Sequence, residues 1–135
     1  MEKCSKIILV NPEKRVLLYL RDDVPTISNP GYWDLFGGHI ENGETDLEAI
    51  QRELGEEANL SVKGIKKISI LKTADDKGVE YKISMFTGKV HTKEEEIKLK
   101  EGQIARYFRT EELYNLKFNN DFRKFIIGHR KTLGI

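Results

Sequence analysis

Three glutamates in this chain are spaced so that their side chains would lie side by side on a helix. Glu53, Glu56 and Glu57 occupy positions i, i+3 and i+4 of the stretch RELGEEANL (Arg52–Leu60), and residues at that spacing are neighbours on a helix surface. Carboxylates held so close repel one another, and the repulsion grows where water is excluded. Arg52 is the one positive charge in the stretch, and it cannot neutralise three acids. A divalent cation would.

The available ligand types indicate which kind of cation this would be. Mg²⁺ and similarly hard ions take oxygen ligands, and they commonly use a few carboxylates together with substrate phosphates. No histidine or cysteine lies at helical spacing with the three glutamates, which argues against a zinc site. The spacing alone also fits an ordinary solvated acidic helix face. The surrounding residues have to decide between a metal site and a solvated surface.

A helix from about Thr45 to Ala58 is predicted to position the three glutamates. Thr45 and Glu48 fit a capping box, in which the two side chains satisfy amides at the helix start. Because Glu57 adjoins the apolar stripe of this helix, we expect it to be partly buried, and we expect Asn59 to close the helix in the left-handed conformation. The stripe recurs at helical spacing and consists of Leu47, Ile50, Leu54 and Ala58.

Other segments have the composition of strands and turns. The predicted strands are residues 5–11, 16–21, 33–36, 62–73, 79–90 and 105–109. Asp75–Gly78 has the composition of a hairpin turn, residues 22–32 and 93–101 are predicted loops, and Gly37-Gly38 is expected to end the strand begun at Trp33. A short helix over 110–116 and a final helix over 121–133 complete the chain. Strands mixed with a few helices indicate an α/β sandwich whose sheet is covered on both sides.

Bulk properties exclude several classes of protein. The chain has 135 residues, a formal net charge of +1 and one cysteine, Cys4. This length predicts a single domain over residues 1–135, and the charge gives no argument for a nucleic-acid polymer or a membrane as partner. No stretch approaches the roughly 20 apolar residues of a membrane span. A cytoplasmic protein is the expectation.

The acidic stretch belongs to a longer pattern that resembles a known signature. From Gly38 the sequence has five residues, then Glu44, seven residues, Arg52-Glu53-Leu54, one residue, Glu56-Glu57, one residue and Asn59-Leu60. This is similar to the Nudix box of the Nudix (MutT-like) hydrolase family, G-x5-E-x7-R-E-U-x-E-E-x-G-U with U aliphatic. One fixed position differs, because Asn59 stands where the family usually has glycine. After glycine, asparagine is the residue that best tolerates the left-handed conformation expected there.

The resemblance extends along the chain and implies a fold. The order of strands, the segment Trp33–Gly38, the box, the hairpin and a late strand followed by Glu-Glu-Leu is similar to the whole Nudix domain. Phe36 replaces the proline often found before the two glycines, and Glu101-Gly102-Gln103 is similar to a segment of members that cleave nucleoside triphosphates. The implied fold is a Nudix-type α/β/α sandwich with a mixed sheet between helices.

The resemblance also implies a metal site and catalytic roles. Carried over residue by residue, Arg52 would orient the acids, Glu44 would brace the preceding loop against the helix, and Leu54 and Asn59 would be structural. The general base would be a box glutamate or Glu101, which could also bind metal. The implied ligands of Mg²⁺ or Mn²⁺ are Glu53, Glu56, Glu57, Glu101 and the carbonyl of Gly38.

Further residues are candidates for binding a substrate. Arg21, at a strand end, could bind a phosphate through two hydrogen bonds of its guanidinium. His39 could also contact a phosphate. An ordinary solvent-exposed surface position fits both residues equally well. The two glycines would let the backbone approach a metal or a phosphate. Asn119 and Asn120 precede the last helix, where some family members place a base-reading asparagine. The substrate-binding candidates are therefore Arg21, Gly37, Gly38, His39, Asn119 and Asn120.

The implied activity is hydrolysis of a nucleoside diphosphate linked to another group, with a small nucleotide as substrate. The first expectation is nucleoside triphosphates, including oxidised ones such as 8-oxo-dGTP. Nucleotide sugars, ADP-ribose and dinucleoside polyphosphates remain open alternatives, because nothing in the box separates them. A non-catalytic nucleotide sensor on the same fold is a third possibility. The chain is expected to be a monomer or a homodimer.

Overall fold

The computed structural model describes residues 1–135. It contains seven strands and three α-helices, with short 3₁₀ turns at Glu94–Glu96 and Thr110–Asn115. The strands are β1 (Glu2–Val10), β2 (Val16–Leu20), β3 (Trp33–Asp34), β4 (Phe36–His39), β5 (Val62–Ala74), β6 (Glu80–Val90) and β7 (Ile104–Phe108). The helices are α1 (Asp46–Glu57), α2 (Asn120–Gly128) and α3 (Arg130–Leu133).

All seven strands belong to one mixed sheet. Its main order is β3-β2-β1-β6-β5, with β4 paired to β1 and β7 paired to β2. Strands β1 and β6 run parallel and the other pairs are antiparallel. The first half of β1 pairs with β4, whereas Leu9 and Val10 pair with β2. Because β1 lies at the centre of this arrangement, it positions β4 beside α1.

Both faces of β1 are buried, because successive strand residues point to opposite sides of a sheet. Ile7 and Leu9 pack with Ile50 of α1 on one face. Ile8 and Val10 belong to a second core on the other face, with the apolar residues of α2. The sheet is therefore covered by helices on both sides, which confirms the predicted α/β class.

Helix α1 begins with the predicted capping box. Thr45 accepts a hydrogen bond from the Glu48 backbone, and the Glu48 side chain accepts one from the Thr45 backbone. The predicted apolar stripe is partly wrong: Leu47 is 41% exposed, and Ala49 is fully buried in its place. Ile50 and Leu54 are buried as expected, because they lie on the face of α1 that packs against the sheet.

Two boundaries differ from the sequence prediction. Gly37 and Gly38 do not end a strand but lie inside β4, where they pair with Lys6 and Ser5 of β1. The predicted final helix is interrupted at His129, whose backbone leaves the helical conformation and whose ring lies 2.7 Å from the Phe125 carbonyl oxygen.

None of the helices has the length and apolar character needed to cross a membrane. The cytoplasmic location and the single domain over residues 1–135 stay predictions.

Candidate active site

Arg52 pairs with most of the acids around it. Its Nε donates to Glu44 Oε2 at 2.7 Å, and its Nη1 lies 3.0 Å from Glu53 Oε1 and 3.2 Å from Glu56 Oε2. Its Nη2 donates to the backbone oxygen of His39 at 3.0 Å. The guanidinium of Arg52 therefore ties the loop before the helix and the end of β4 to two of the three glutamates.

Glu57 is separate from this arginine network. Its Oε1 accepts a hydrogen bond of 2.8 Å from the backbone N–H of Gly37. Burial raises the pKa of Glu57 to about 8, although the nearby charge of Lys6 and the Gly37 N–H both lower it. The partial burial predicted from the helical wheel is observed, and it makes Glu57 a carboxyl with unusually high proton affinity in the absence of a cation.

Gly37 and Gly38 bring the backbone of β4 against the acids. Gly37 has φ +131°, and a Cβ there would lie 2.1 Å from the Ser5 carbonyl oxygen. A Cβ on Gly38 would lie 2.5 Å from Glu53 Oε1. Glycine is required at the first position by the approach of β1, and at the second it leaves room for the Glu53 carboxylate.

The same two glycines also border a pocket. This pocket, which we call the central pocket, has a volume of about 200 Å³. Its lining comes from the first half of β1, the loop after β2, β3, β4, the end of β5, the β5–β6 turn, the start of β6 and the N-terminus of α2. The charged and polar lining residues include Lys6, Arg21, Ser28, Asn29, Asp34, His39, Thr73, Asp75, Tyr81 and Asn119.

A buried ion-pair network forms one side of the central pocket. Lys6 Nζ donates to Asp34 Oδ2 at 3.2 Å and to the Leu35 carbonyl oxygen at 3.1 Å, and Arg21 Nη1 lies 3.3 Å from the same Asp34 oxygen. The Lys6 and Asp34 side chains are only 11% and 13% exposed. Burial opposes the charge of Lys6, but Asp34 and neighbouring groups raise its pKa above the ordinary value. Two cations thus face the pocket with one acid between them.

Lys6 and Asp34 were missed by the sequence reasoning. Lys6 lies within the apolar pattern of a predicted strand. A lysine among residues predicted to be buried was the sequence signal that could have marked it as a buried, functional charge. A buried charge needs a partner, and Asp34, which follows Trp33, was a candidate. Arg21 had been predicted, and the structure places it at this network.

The remaining substrate-binding candidates fall into different places. His39 lines the central pocket but is largely exposed, with its Nε2 3.8 Å from Glu2 Oε2. Asn119 also lines the pocket, yet its Oδ1 accepts from the Asp121 and Phe122 backbones as the cap of α2, and its Nδ2 donates to Thr73. Asn120 bonds Arg123 outside the central pocket. The structure therefore does not bring Asn120 to the site.

The segment carrying Glu101 joins the acidic helix to the Arg21 end of β2. The Lys100 N–H donates to the Glu57 carbonyl oxygen at 2.9 Å, and Gln103 Nε2 donates to the Arg21 carbonyl oxygen at 2.8 Å. Glu101 lies between these two anchors with an exposed side chain. Its predicted roles as base and metal ligand stay predictions.

Asn59 does not adopt the left-handed conformation that we expected. The helix ends instead through Ala58 in an extended conformation, and Lys14 and Asn29 are the only non-glycine residues with positive φ. The Asn59 side chain donates to the Glu96 carbonyl oxygen at 2.9 Å and accepts from the Lys98 N–H at 2.7 Å. Asparagine therefore acts here through its amide, which fastens the 93–101 loop to the end of α1.

No three carboxylate, imidazole or thiol groups converge as a ready metal-ligand set in this structure. The reason is visible in the contacts: Arg52 binds Glu53 and Glu56, and Gly37 binds Glu57. The donor set nevertheless suits a hard cation, since it consists of carboxylate oxygens beside a backbone that lacks a Cβ.

Fold and site together define an α/β/α sandwich in which two glycines contact the acidic helix and also line a pocket that contains Lys6 and Arg21. The NUDIX domain model matches residues 5–127 of this chain. The chain belongs to the NUDIX domain family, which confirms the resemblance predicted from the sequence and the Nudix-type fold.

Solved structures share this fold at low sequence identity. MutT from Methanosarcina mazei superposes with a TM-score of 0.83 and 20% identity, covering 97% of this chain and 94% of that one. A Caenorhabditis elegans Ap4A hydrolase gives 0.79 and 18%, covering 99% and 98%. The NUDIX domain of Shewanella oneidensis NrtR, complexed with ADP ribose, gives 0.78 and 17%, covering 98% and 88%. A search of curated proteins finds no match.

Proposed function

We propose that this protein is a divalent-metal-dependent pyrophosphohydrolase that cleaves a nucleoside diphosphate linked to another group, with nucleoside triphosphates, including oxidised ones, as the first substrate class. One observation supports this most: Gly37 and Gly38 contact Glu57 and Glu53 and also border the central pocket. A substrate in the pocket could thus bring its phosphates close to the acids, with no side chain at Gly37 or Gly38 in the way.

The residues present fit a hard divalent cation such as Mg²⁺ or Mn²⁺. Glu53, Glu56 and Glu57 would hold it, with the Gly38 carbonyl and Glu101 as further ligands. The cation would supply positive charge to phosphate oxygens and acidify water. A Cβ at Gly38 would fill the space occupied by the Glu53 carboxylate, so glycine there preserves the room for such a site.

The chain's own residues would then orient the reacting groups. Arg52 fixes the positions of Glu53 and Glu56 through its Nη1. The largely buried Lys6 and the half-buried Arg21 provide attraction for a polyanionic substrate. The attacking water needs a proton acceptor within hydrogen-bond reach. We assign that role to Glu57 or to Glu101. The backbone N–H of Lys100, next to Glu101, donates to the backbone carbonyl oxygen of Glu57 and holds the two chain segments together.

Substitution of a single acid tests this proposal. Product release from a panel of 8-oxo-dGTP, dGTP, ADP-ribose, a nucleotide sugar and Ap4A should require Mg²⁺ or Mn²⁺. Glu53→Gln and Glu57→Gln should each lower kcat at least about 100-fold, because metal positioning is lost. Glu95→Gln, an exposed glutamate without hydrogen bonds or ion pairs, is the matched control. Equal rates in wild type and Glu53→Gln would refute the metal role.

A non-catalytic nucleotide-binding domain is the second candidate, and one observation makes it worth testing. The NUDIX domain of Shewanella oneidensis NrtR, a structural neighbour, is complexed with ADP ribose. ADP-ribose binding by calorimetry without turnover of any panel member, with any divalent cation, would support this candidate and contradict the hydrolase.

A further inference from the structure

The loop between β2 and β3 lines one side of the central pocket and is held at its base by hydrogen bonds of Arg21. The Arg21 N–H donates to the Tyr32 carbonyl oxygen at 2.8 Å, and Arg21 Nε donates to the Ser28 carbonyl oxygen at 3.0 Å. The Gly31 N–H donates to the Asp22 carbonyl oxygen at 3.1 Å. The loop therefore has a defined shape, set partly by a residue that lines the pocket.

The tip of the same loop is hydrogen-bonded to the β5–β6 hairpin. The Asn29 N–H donates to Asp76 Oδ1 and the Asp76 N–H donates to Asn29 Oδ1, each at 2.9 Å. Lys77 Nζ donates to the carbonyl oxygens of Pro25 and Ile27 at 3.3 and 3.1 Å. We call this arrangement, residues 22–32 bound to residues 75–79, the clasp.

The hairpin side of the clasp is itself well ordered by hydrogen bonds. Asp75 Oδ1 accepts from the backbone N–H groups of Lys77 and Val79, both at 2.9 Å. Asp75 Oδ2 accepts from the Tyr81 hydroxyl at 3.1 Å. The turn is thus held in the one conformation that presents the Asp76 carboxylate and backbone amide to Asn29.

Both halves of the clasp form walls of the central pocket. Ser28 and Asn29 line it from the loop, and Asp75 lines it from the hairpin, next to Thr73 and Ala74 at the end of β5. Gly37 and Gly38 border the pocket beside the acids. A substrate whose diphosphate lies at the two glycines would therefore have its remaining part beside the clasp.

The clasp can open without disrupting the core. None of residues 22–32 is buried in either hydrophobic cluster, and the bonds between loop and hairpin are made by exposed or half-exposed groups. Exposed hydrogen bonds contribute little each, so such a segment opens at a far lower free energy than the sheet.

We propose that the clasp is a specificity determinant that closes over the nucleoside part of the substrate, with the Asn29–Asp76 pair as its latch. This inference rests on the proposed function, because it requires a nucleotide in the pocket. Closure brings Ser28 and Asn29 against the nucleoside while Arg21, the root of the loop, faces the phosphates. A substrate with a compact nucleoside is enclosed, and a substrate with a bulkier group in the place of that nucleoside binds less well.

Asp76→Ala and Asn29→Gly test the latch, with Glu80→Ala as the matched control. Each of the first two removes one side of the pair, and glycine accepts the positive φ of Asn29. Glu80 is exposed in the same hairpin and makes no side-chain hydrogen bond or ion pair. We expect both latch variants to raise KM for 8-oxo-dGTP or ADP-ribose about tenfold, with kcat within about twofold.

Hydrogen exchange supplies a readout independent of turnover. Amides of segments 22–32 and 75–79 should exchange faster in Asp76→Ala than in wild type or Glu80→Ala. Unprotected exchange of these segments in the wild type, or KM values in both latch variants equal to those of Glu80→Ala, would overturn the clasp alone. Failure of the wild type to hydrolyse any panel nucleotide would overturn the proposed function, and the clasp as a specificity determinant with it.

Discussion

Adding one methyl group at Gly38 should damage catalysis while leaving the fold nearly intact. A Cβ at this position would meet Glu53 Oε1 at 2.5 Å and the Glu53 Cδ at 2.6 Å. Gly38 has no positive φ, so alanine adds no backbone strain. The obstacle is the end of a flexible side chain, which can shift by about 1 Å, and we expect the free energy of unfolding to fall by less than about 1 kcal/mol.

The same shift displaces a predicted metal ligand. A misplacement of about 1 Å in a catalytic site can lower the rate about 100-fold, so kcat of Gly38→Ala should fall to about 1% of the wild-type value. Mg²⁺ should also stabilise the variant less against heat, since a ligand that binds only the folded state raises its melting temperature.

Gly37→Ala is the matched comparison. It should chiefly lower the stability of the fold, whereas Gly38→Ala should chiefly lower catalysis. Gly37 has φ +131°, and its Cβ would lie 2.1 Å from the Ser5 carbonyl oxygen and 2.9 Å from the Lys6 Cα. Strain of this kind costs of order 1–3 kcal/mol, and separating β4 from β1 adds to it. We expect a loss of about 3 kcal/mol or more, which for a domain of this size lowers the melting temperature by about 10 °C.

Thermal unfolding with and without Mg²⁺, combined with steady-state hydrolysis, distinguishes the two variants. Wild-type kcat in Gly38→Ala would refute the argument that this glycine makes room for the Glu53 carboxylate. Equal loss of stability in both variants would refute the distinction between a flexible and a backbone obstacle.

Three further substitutions test other parts of the account. Because the pKa of Glu57 is raised to about 8, the folded protein binds more protons than the unfolded chain between about pH 4.5 and 8. Metal-free stability should therefore fall as pH rises through that window. Glu57→Gln should flatten this fall and melt higher than wild type at pH 8 in chelator, and identical pH profiles in denaturant titrations would contradict it. Arg52→Lys loses the fork that joins Glu44 to Glu53, so kcat should drop at least about tenfold with little change in KM, whereas an unchanged kcat would argue against positioning. Asn59→Gly removes two hydrogen bonds without relieving any positive φ, so it should lower the free energy of unfolding by about 1 kcal/mol, and a variant as stable as wild type would contradict the role of these two bonds.

The chemistry-bearing helix was largely predictable from the sequence because its signals are local. The capping box of Thr45 and Glu48 and the partial burial of Glu57 follow from spacing within one helix. The α/β class follows from the order of strands and helices. These features depend on residues that are close together in the chain.

The features that the sequence did not indicate depend on contacts between distant segments. Lys6 gains its place in the central pocket from Asp34, 28 residues away. Asn59 looked like a left-handed helix cap because its own position favours one, yet its amide bonds the 93–101 loop instead. Gly37 and Gly38 looked like a strand end, but pairing with β1 extends the strand through both. Local propensity cannot report such partners.

The central claim is that divalent cations bind the clustered acids, and calorimetric titration of Mn²⁺ tests it most directly. In the presence of a non-hydrolysable nucleoside triphosphate analogue, wild type should bind Mn²⁺ with measurable heat, Glu53→Gln should bind it at least about tenfold more weakly, and Glu95→Gln should match wild type. Mn²⁺ binding that is absent from the wild type, or unchanged in Glu53→Gln, would contradict the account.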